Sequence, residues 1–300
     1  MIYLFLVLGL VSADDNWAII LNSSKFWFNY RHTVNALMMY QTLKRYGFSD
    51  ERIILMLPEN IPCHPRNNYP GQIYNGNSPE NLYGGNVQVD YKYKDLTPEA
   101  ITNLLTGRHP PGTPLSKQLR TGPNSKVFFY MNGHGGDSFL KIQDTLVFRN
   151  IDLAAAIKEM HLKGRYGEML IVLDTCQAFS MFNYIDVPNV HAVASSLSHQ
   201  MAKSFGSDFE LGLSTSDHFS FYFHEFFRGK SLKAVEQLNL ATVIDKLPRR
   251  LIKADIGYRS QSPSASVKLV DYMSSKRQPK AFPSINYKIA SVEPFNWEIK

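Results

Sequence analysis

The chain has 300 residues, a formal charge of +6, and 19% charged against 44% hydrophobic residues, a balance that supports a buried core and excludes a disordered chain. Its two cysteines, Cys63 and Cys176, exclude a disulfide framework and a four-cysteine zinc site. The basic residues form no sustained stripe, Arg249–Arg250 and Lys276–Arg277 being the longest clusters, so no nucleic-acid partner is expected.

Residues 2–11 are an apolar run, followed by Ser12, Ala13 and the acidic pair Asp14–Asp15. This is the pattern of a secretory leader over 1–13, cleaved after Ala13, and it is too short to span a bilayer. Residues 14–274 read as one catalytic domain and 275–300 as a charged, proline-containing tail without a transmembrane span. Trp17–Leu21 and Ile53–Leu57 read as buried strands, and Tyr30–Tyr46 between them as a helix stopped by Gly47. Residues 58–86 are rich in Pro, Asn, Gly and Tyr and form a long loop, a feature that usually has a use. Thr97-Pro98 opens a short helix closed by Gly107. A proline-rich loop leads to strand Val127–Met131, and residues 139–148 suit a small hairpin. Asn150 is expected to cap a helix to His161. Strands Met169–Leu173 and Val190–Ala194 and helices over 217–228 and 232–247 follow. Strands alternating with helices predict an α/β three-layer sandwich with a mostly parallel central sheet.

Two segments stand where such sheets place ligands, beyond the carboxyl ends of strands. Asn132-Gly133-His134-Gly135-Gly136 follows one strand, and Asp174-Thr175-Cys176-Gln177 follows the next. A cysteine and a histidine so placed are a candidate nucleophile and base. The glycines allow close backbone approach to a substrate, and the amides of Gly135 and Cys176 are candidate oxyanion donors. Zinc is a poor alternative, because no C-x-x-C or H-x-x-x-H spacing accompanies them.

The segments Phe26-Trp27-Phe28-Asn29-Tyr30-Arg31-His32, Tyr130 to Gly136 and Leu173 to Gln177 resemble the legumain-type cysteine peptidases of the caspase-like clan. Within that family the pattern is most similar to the branch formed by catalytic subunits of glycosylphosphatidylinositol (GPI) transamidases. Cys63-x-Pro65-Arg66-Asn67, Val89-Asp90-Tyr91, Leu105 to Arg108, Phe139-Leu140-Lys141 and Ala194-Ser195-Ser196 extend the resemblance over about Asn16 to Phe227.

The resemblance implies a caspase/legumain-like fold, Cys176 as nucleophile, His134 as base and Asn29 as the residue orienting the imidazole. It implies a substrate pocket at Asp174, Ser195, Ser196, Arg31 and His32. The stretch between Ser198 and Ser214 departs from the family pattern, which leaves the rest of that pocket open. No cofactor is required for the chemistry. A structural calcium is implied at Asp50, the Ile53 carbonyl, Gln88 and Asp90, with Gln88 where the family usually has Glu, so one charge is lost. If Cys176 stays a free thiol, Cys63 is left odd, which in a secretory protein suggests an intermolecular disulfide; the resemblance implies a bridge to a lumenal partner subunit. Asn22-Ser23-Ser24 fits a glycosylation acceptor but lies so close to Asn29 that it is expected to be unused.

The function so implied is a transamidase of the endoplasmic reticulum lumen. It cleaves the C-terminal signals of precursor proteins through a Cys176 thioester and passes the new C-terminus to the ethanolamine amine of a GPI lipid. Its partners are the other transamidase subunits, and membrane contact comes through them. Two rivals are a legumain-like asparaginyl endopeptidase and a non-catalytic subunit of a complex.

Overall fold

The computed structural model describes residues 16–76, 78–85, 87–260 and 266–275. The expected leader over 1–13 and, Ser275 apart, the expected tail lie outside them.

The strands are β1 (Trp17–Asn22), β2 (Ile53–Leu57), β3 (Tyr91–Lys92), β4 (Lys126–Asn132), β5 (Gly135–Gly136), β6 (Phe139–Ile142), β7 (Leu146–Arg149), β8 (Glu168–Asp174), β9 (Val190–Ala194), β10 (Ser204–Asp208), β11 (Leu213–Asp217) and β12 (Gly257–Ser260). The helices are α1 (Tyr30–Arg45), α2 (Pro98–Thr106), α3 (Asn150–Leu162), α4 (His218–Phe227), α5 (Leu232–Val235), α6 (Leu240–Lys246), α7 (Arg249–Ile252) and α8 (Val270–Met273).

A seven-stranded sheet runs in the order β12-β9-β8-β4-β1-β2-β3. Its pairings are parallel except β9 with β12. Strand side chains alternate between faces, and here both faces are buried. Ala18, Ile20, Phe128, Tyr130, Leu170 and Val172 pack with α1 and α4, while Trp17, Ile19, Leu21, Phe129, Met131 and Ile171 pack with α2 and α3. Burial on both faces explains why the central strands read as continuous apolar runs. The result is the expected three-layer α/β sandwich with a mostly parallel sheet.

Local signals held at α2, where the Thr97 side chain accepts from Ala100 N–H and Gly107 ends the helix in the left-handed region. They failed at α3. Its N-cap is Arg149, whose backbone N–H is taken by the Asp152 carboxylate, while Asn150 turns inward and donates to the Ser180 carbonyl. The single helix expected over 232–247 is two, because Asn239 caps α6 by accepting from Thr242 N–H. Among the described residues no helix is long and apolar enough to cross a membrane.

Candidate active site

Three neighbouring parallel strands deliver the site. Asn132 of β4 lies in register with Asn22 of β1 on one side and Asp174 of β8 on the other. The chain leaving β1 carries Asn29, the chain leaving β4 carries His134, and the chain leaving β8 carries Cys176. Cross-links hold the three exits together. Ser23 N–H donates to the Asn132 carbonyl at 2.9 Å and Gly133 N–H to the Asp174 carbonyl at 3.3 Å. Thr175 Oγ1 donates to the Gly133 carbonyl at 2.8 Å, and His134 N–H donates to Ser24 Oγ at 3.2 Å.

The His134 ring is oriented by Asn29, with 2.8 Å between Nε2 and Oδ1. The amide flip is set by its other end, because Asn29 Nδ2 donates to the Lys25 carbonyl at 2.6 Å and faces Asp144 Oδ2 at 3.4 Å. An oxygen toward Nε2 means that Nε2 carries the proton and Nδ1 is the free base. Burial, then the Arg31 guanidinium, hold the imidazole below its ordinary range, with Asp144 pulling the other way. The His32 ring meets it edge-on at 5.0 Å.

Gln177 adopts a left-handed conformation, φ 55°, which turns the chain sharply after Cys176. Four contacts fix this turn. Thr175 N–H donates to Ser195 Oγ at 3.3 Å, Ser196 Oγ donates to the Thr175 carbonyl at 2.8 Å, Ala178 N–H donates to Ser196 Oγ at 3.1 Å, and Gln177 N–H donates to the Gln200 carbonyl at 2.8 Å. The half-buried Cys176 thiol donates to the Ala202 carbonyl at 3.9 Å, and among the described residues no hydrogen bond joins it to His134. Burial pushes the thiol up, and Asp217 and Asp174 add to the effect. With the imidazole held low and the thiol held high, the resting pair is uncharged, and the thiol proton has to leave during attack. One of the two candidate oxyanion donors, the Gly135 amide, is free of the hairpin ladder. The ladder bond from Lys141 N–H to the His134 carbonyl makes Gly135 and Leu140 a non-hydrogen-bonded pair, so the Gly135 amide points away from β6.

Asp174, Arg31 and His32 gather at Asp217, a residue that sequence reasoning did not single out. Arg31 Nε lies 3.3 Å from Asp217 Oδ1 and His32 Nε2 3.4 Å from Oδ2. Asn35 Nδ2 donates to Oδ2 at 2.6 Å, and Asn35 Oδ1 accepts from Asp217 N–H at 3.0 Å. Ser220 Oγ donates to Asp174 Oδ2 at 2.5 Å. Burial and the Asp174 charge push Asp217 up to about 7, and burial also raises Asp174. Burial holds His32 well below its usual range, hence neutral. Asp174 Oδ1 and His32 Nδ1 are buried without a partner in this cluster. Ser195 and Ser196 are likewise buried, with hydroxyls that brace the Cys176 turn as described. The β10–β11 hairpin over 204–217, which ends in Asp217, takes up much of the stretch between Ser198 and Ser214 that departs from the family pattern.

The other expected residues lie elsewhere. Cys63 is an exposed free thiol at the end of a single 3-10 turn, Ile61–Cys63. Asn22 is buried and its Nδ2 donates to Thr33 Oγ1 at 3.1 Å. Asp50 and Asp90 face each other closely enough for the Asp50 charge to raise Asp90, which burial chiefly pushes to about 6. Tyr40 joins them, its hydroxyl donating to Asp50 and accepting from the Gln88 backbone. Two carboxylates with amide and carbonyl oxygens are the donors a hard cation takes. Lys44 already binds Asp50 Oδ2 at 2.8 Å, which leaves one uncompensated carboxylate for such an ion.

Residues 16–278 match the family model described as the Peptidase C13 family. The chain is 42% identical over 267 residues to a protein of Caenorhabditis elegans, covering 88% of this chain and 83% of that one. It is 38% identical over 268 residues to the GPI-anchor transamidase of Homo sapiens, covering 88% and 67%. It is 40% identical over 247 residues to the GPI-anchor transamidase of Saccharomyces cerevisiae, covering 82% and 60%. A solved structure, caspase-1 from Spodoptera frugiperda, aligns with 82% of this chain and 88% of its own at a TM-score of 0.48 and 11% identity.

Proposed function

The chain belongs to the Peptidase C13 family, and on that premise we propose that it is the catalytic subunit of a GPI transamidase. The observation that carries the reading is the convergence of Asn29, His134 and Cys176 at the ends of three adjacent parallel strands. Cys176 is the nucleophile. Its sulfur attacks the carbonyl of the attachment residue while His134 Nδ1 takes the thiol proton, which it then gives to the leaving amine. The amides of Gly135 and Cys176 stabilise the oxyanion. The ethanolamine amine of a GPI lipid attacks the resulting thioester, and the anchored protein leaves with Cys176 restored.

Asp217, Asp174, Arg31 and His32 form the pocket for the attachment residue, with Asp174 Oδ1 and His32 Nδ1 as polar atoms awaiting a partner. Ser195 and Ser196 serve that pocket by holding the turn between Asp174 and Ala178. The substrates are precursors with small residues at the attachment site and an apolar C-terminal tail. The site of action is the lumen of the endoplasmic reticulum, within a complex whose other subunits supply membrane contact. The exposed Cys63 suits a disulfide with one of those subunits. The test is replacement of the endogenous catalytic chain in cells by this one, followed by a GPI-anchored reporter. Restored anchoring supports the reading. Cleavage of the reporter to a free C-terminus points instead to an endopeptidase, and an unprocessed precursor to a non-catalytic subunit.

Two further expectations follow from the electrostatics. Alkylation of Cys176 by iodoacetamide speeds up with pH through a midpoint above the ordinary thiol value of about 8.5, because burial raises the thiol. A midpoint below neutrality, read by mass spectrometry of the labelled peptide, would show a preformed thiolate instead. Calcium binds at Asp50, the Ile53 carbonyl, Gln88 and Asp90 at millimolar levels, since only Asp90 is uncompensated. Addition of calcium therefore raises the Tm of the wild-type chain and leaves that of Asp90→Asn unchanged. Equal shifts in both would remove the site.

A further inference from the structure

The turn between β6 and β7 is built from residues ill suited to it. Gln143 and Asp144 both have positive φ, 52° and 64°, and Thr145 N–H closes the turn on the Ile142 carbonyl at 3.3 Å. These are the marks of a type I′ turn, which favours Asn and Gly at its centre. Gln143 is nevertheless held firmly. Its N–H donates to the Ser23 carbonyl at 2.7 Å, and its Nε2 donates to the carbonyls of Tyr93 at 2.8 Å and Leu96 at 2.7 Å. Strained backbone that its surroundings over-determine gathers at functional sites. What this turn delivers is the Asp144 carboxylate. It accepts from Lys25 N–H at 3.1 Å and lies 3.4 Å from Asn29 Nδ2.

We propose that Asp144 is a positioning residue that acts through Asn29 on His134, a role that rests on the transamidase reading of the site. An amide side chain has two flips, and only one suits the base. In the observed flip, Asn29 Nδ2 faces two acceptors, the Lys25 carbonyl and Asp144, and Oδ1 faces His134 Nε2 at 2.8 Å. In the other, Oδ1 faces a carbonyl and a carboxylate, and like partial charges repel. Asp144 thus reinforces the Lys25 carbonyl in selecting the flip, the flip selects the tautomer with the proton on Nε2, and Nδ1 is left to receive the Cys176 proton. The carboxylate also favours the imidazolium that forms when the proton arrives. Of the groups acting on this ring, Arg31 at the start of α1 and Lys141 on β6 disfavour the charged form, and Asp144 favours it. The His32 ring, edge-on at 5.0 Å, is neutral.

The test uses the assembled complex in cell membranes, with this chain replacing the endogenous one. Asp144→Asn keeps an oxygen for Lys25 N–H and removes the charge. Its kcat is expected to fall about tenfold, a modest part of what a general base supplies, with KM little changed. The acid limb of its pH–rate profile is expected to move to lower pH, because a charge favouring the imidazolium is gone. Asp144→Glu is expected to restore most of the rate and the limb. Wild-type kcat and an unmoved limb in Asp144→Asn, with His134→Ala inactive, would overturn this role and leave the transamidase reading standing. Equal losses in Asn and Glu variants with the limb unmoved would also overturn it, reducing Asp144 to a turn residue. Full activity in both His134→Ala and Asn29→Ala would remove the reading and the role together.

Discussion

Membranes in which the Cys176→Ala chain replaces the wild type are expected to accumulate uncleaved reporter precursor and to form no anchored product, a rate loss of at least about a thousandfold. The size follows from the site having one thiol to offer. Cys63 lies in the loop after β2, whereas Cys176 leaves β8 beside the exit of His134 from β4. Serine is expected to be no rescue. A hydroxyl holds its proton more tightly than a thiol, and His134 is held below its ordinary range by burial and Arg31. The fold does not depend on the sulfur, whose contact is a weak bond of 3.9 Å to the Ala202 carbonyl. The variant chain is therefore expected to accumulate and assemble like the wild type, which separates lost chemistry from lost protein. Anchored reporter formed by a correctly assembled Cys176→Ala chain would end the assignment.

The parts of this site differ in how far the sequence reveals them. His134 and Cys176 follow apolar runs of strands buried on both faces, and a histidine among glycines or a lone cysteine stands out at such an end. Asn29 does not. It lies seven residues past the end of β1, and only the family resemblance pointed to it. Asp217 and Asp144 were hidden for different reasons. Asp217 ends a hairpin of sequence SFGSD and LSTSD, too polar and too glycine-interrupted to read as strands. Asp144 sits in a type I′ turn that lacks the glycine by which such turns are recognised. The same limit hid two edge strands. β3 is two residues long, and β12 pairs antiparallel at the sheet edge with a partly exposed sequence, GYRS. Continuous burial writes itself into composition; contacts between distant loops do not.

The second large effect is expected at a residue with no side chain. Gly133 has φ +146°, and a Cβ built there would lie 1.9 Å from Ser23 Oγ and 3.0 Å from Ser24 Oγ. An alanine therefore adds backbone strain and a clash with a buried neighbour at once, and Gly133→Ala is expected to cost about 3 kcal/mol of stability. The functional cost is larger than the stability cost implies. The atoms it strikes belong to the exit of β1, where Ser24 Oγ receives His134 N–H at 3.2 Å. Pushing the two exits apart separates the imidazole from Asn29, and a misplacement of about 1 Å lowers the rate about a hundredfold. A Ser23→Ala change made alongside it removes the 1.9 Å contact with the hydroxyl but not the positive φ. The double variant is accordingly expected to regain part of the stability and part of the activity. Denaturant midpoints and anchoring rates of the two variants measure both. A Gly133→Ala chain with wild-type stability and activity would mean that the exits of β1 and β4 do not meet as described, and the alignment of Asn29 with His134 would fall with them.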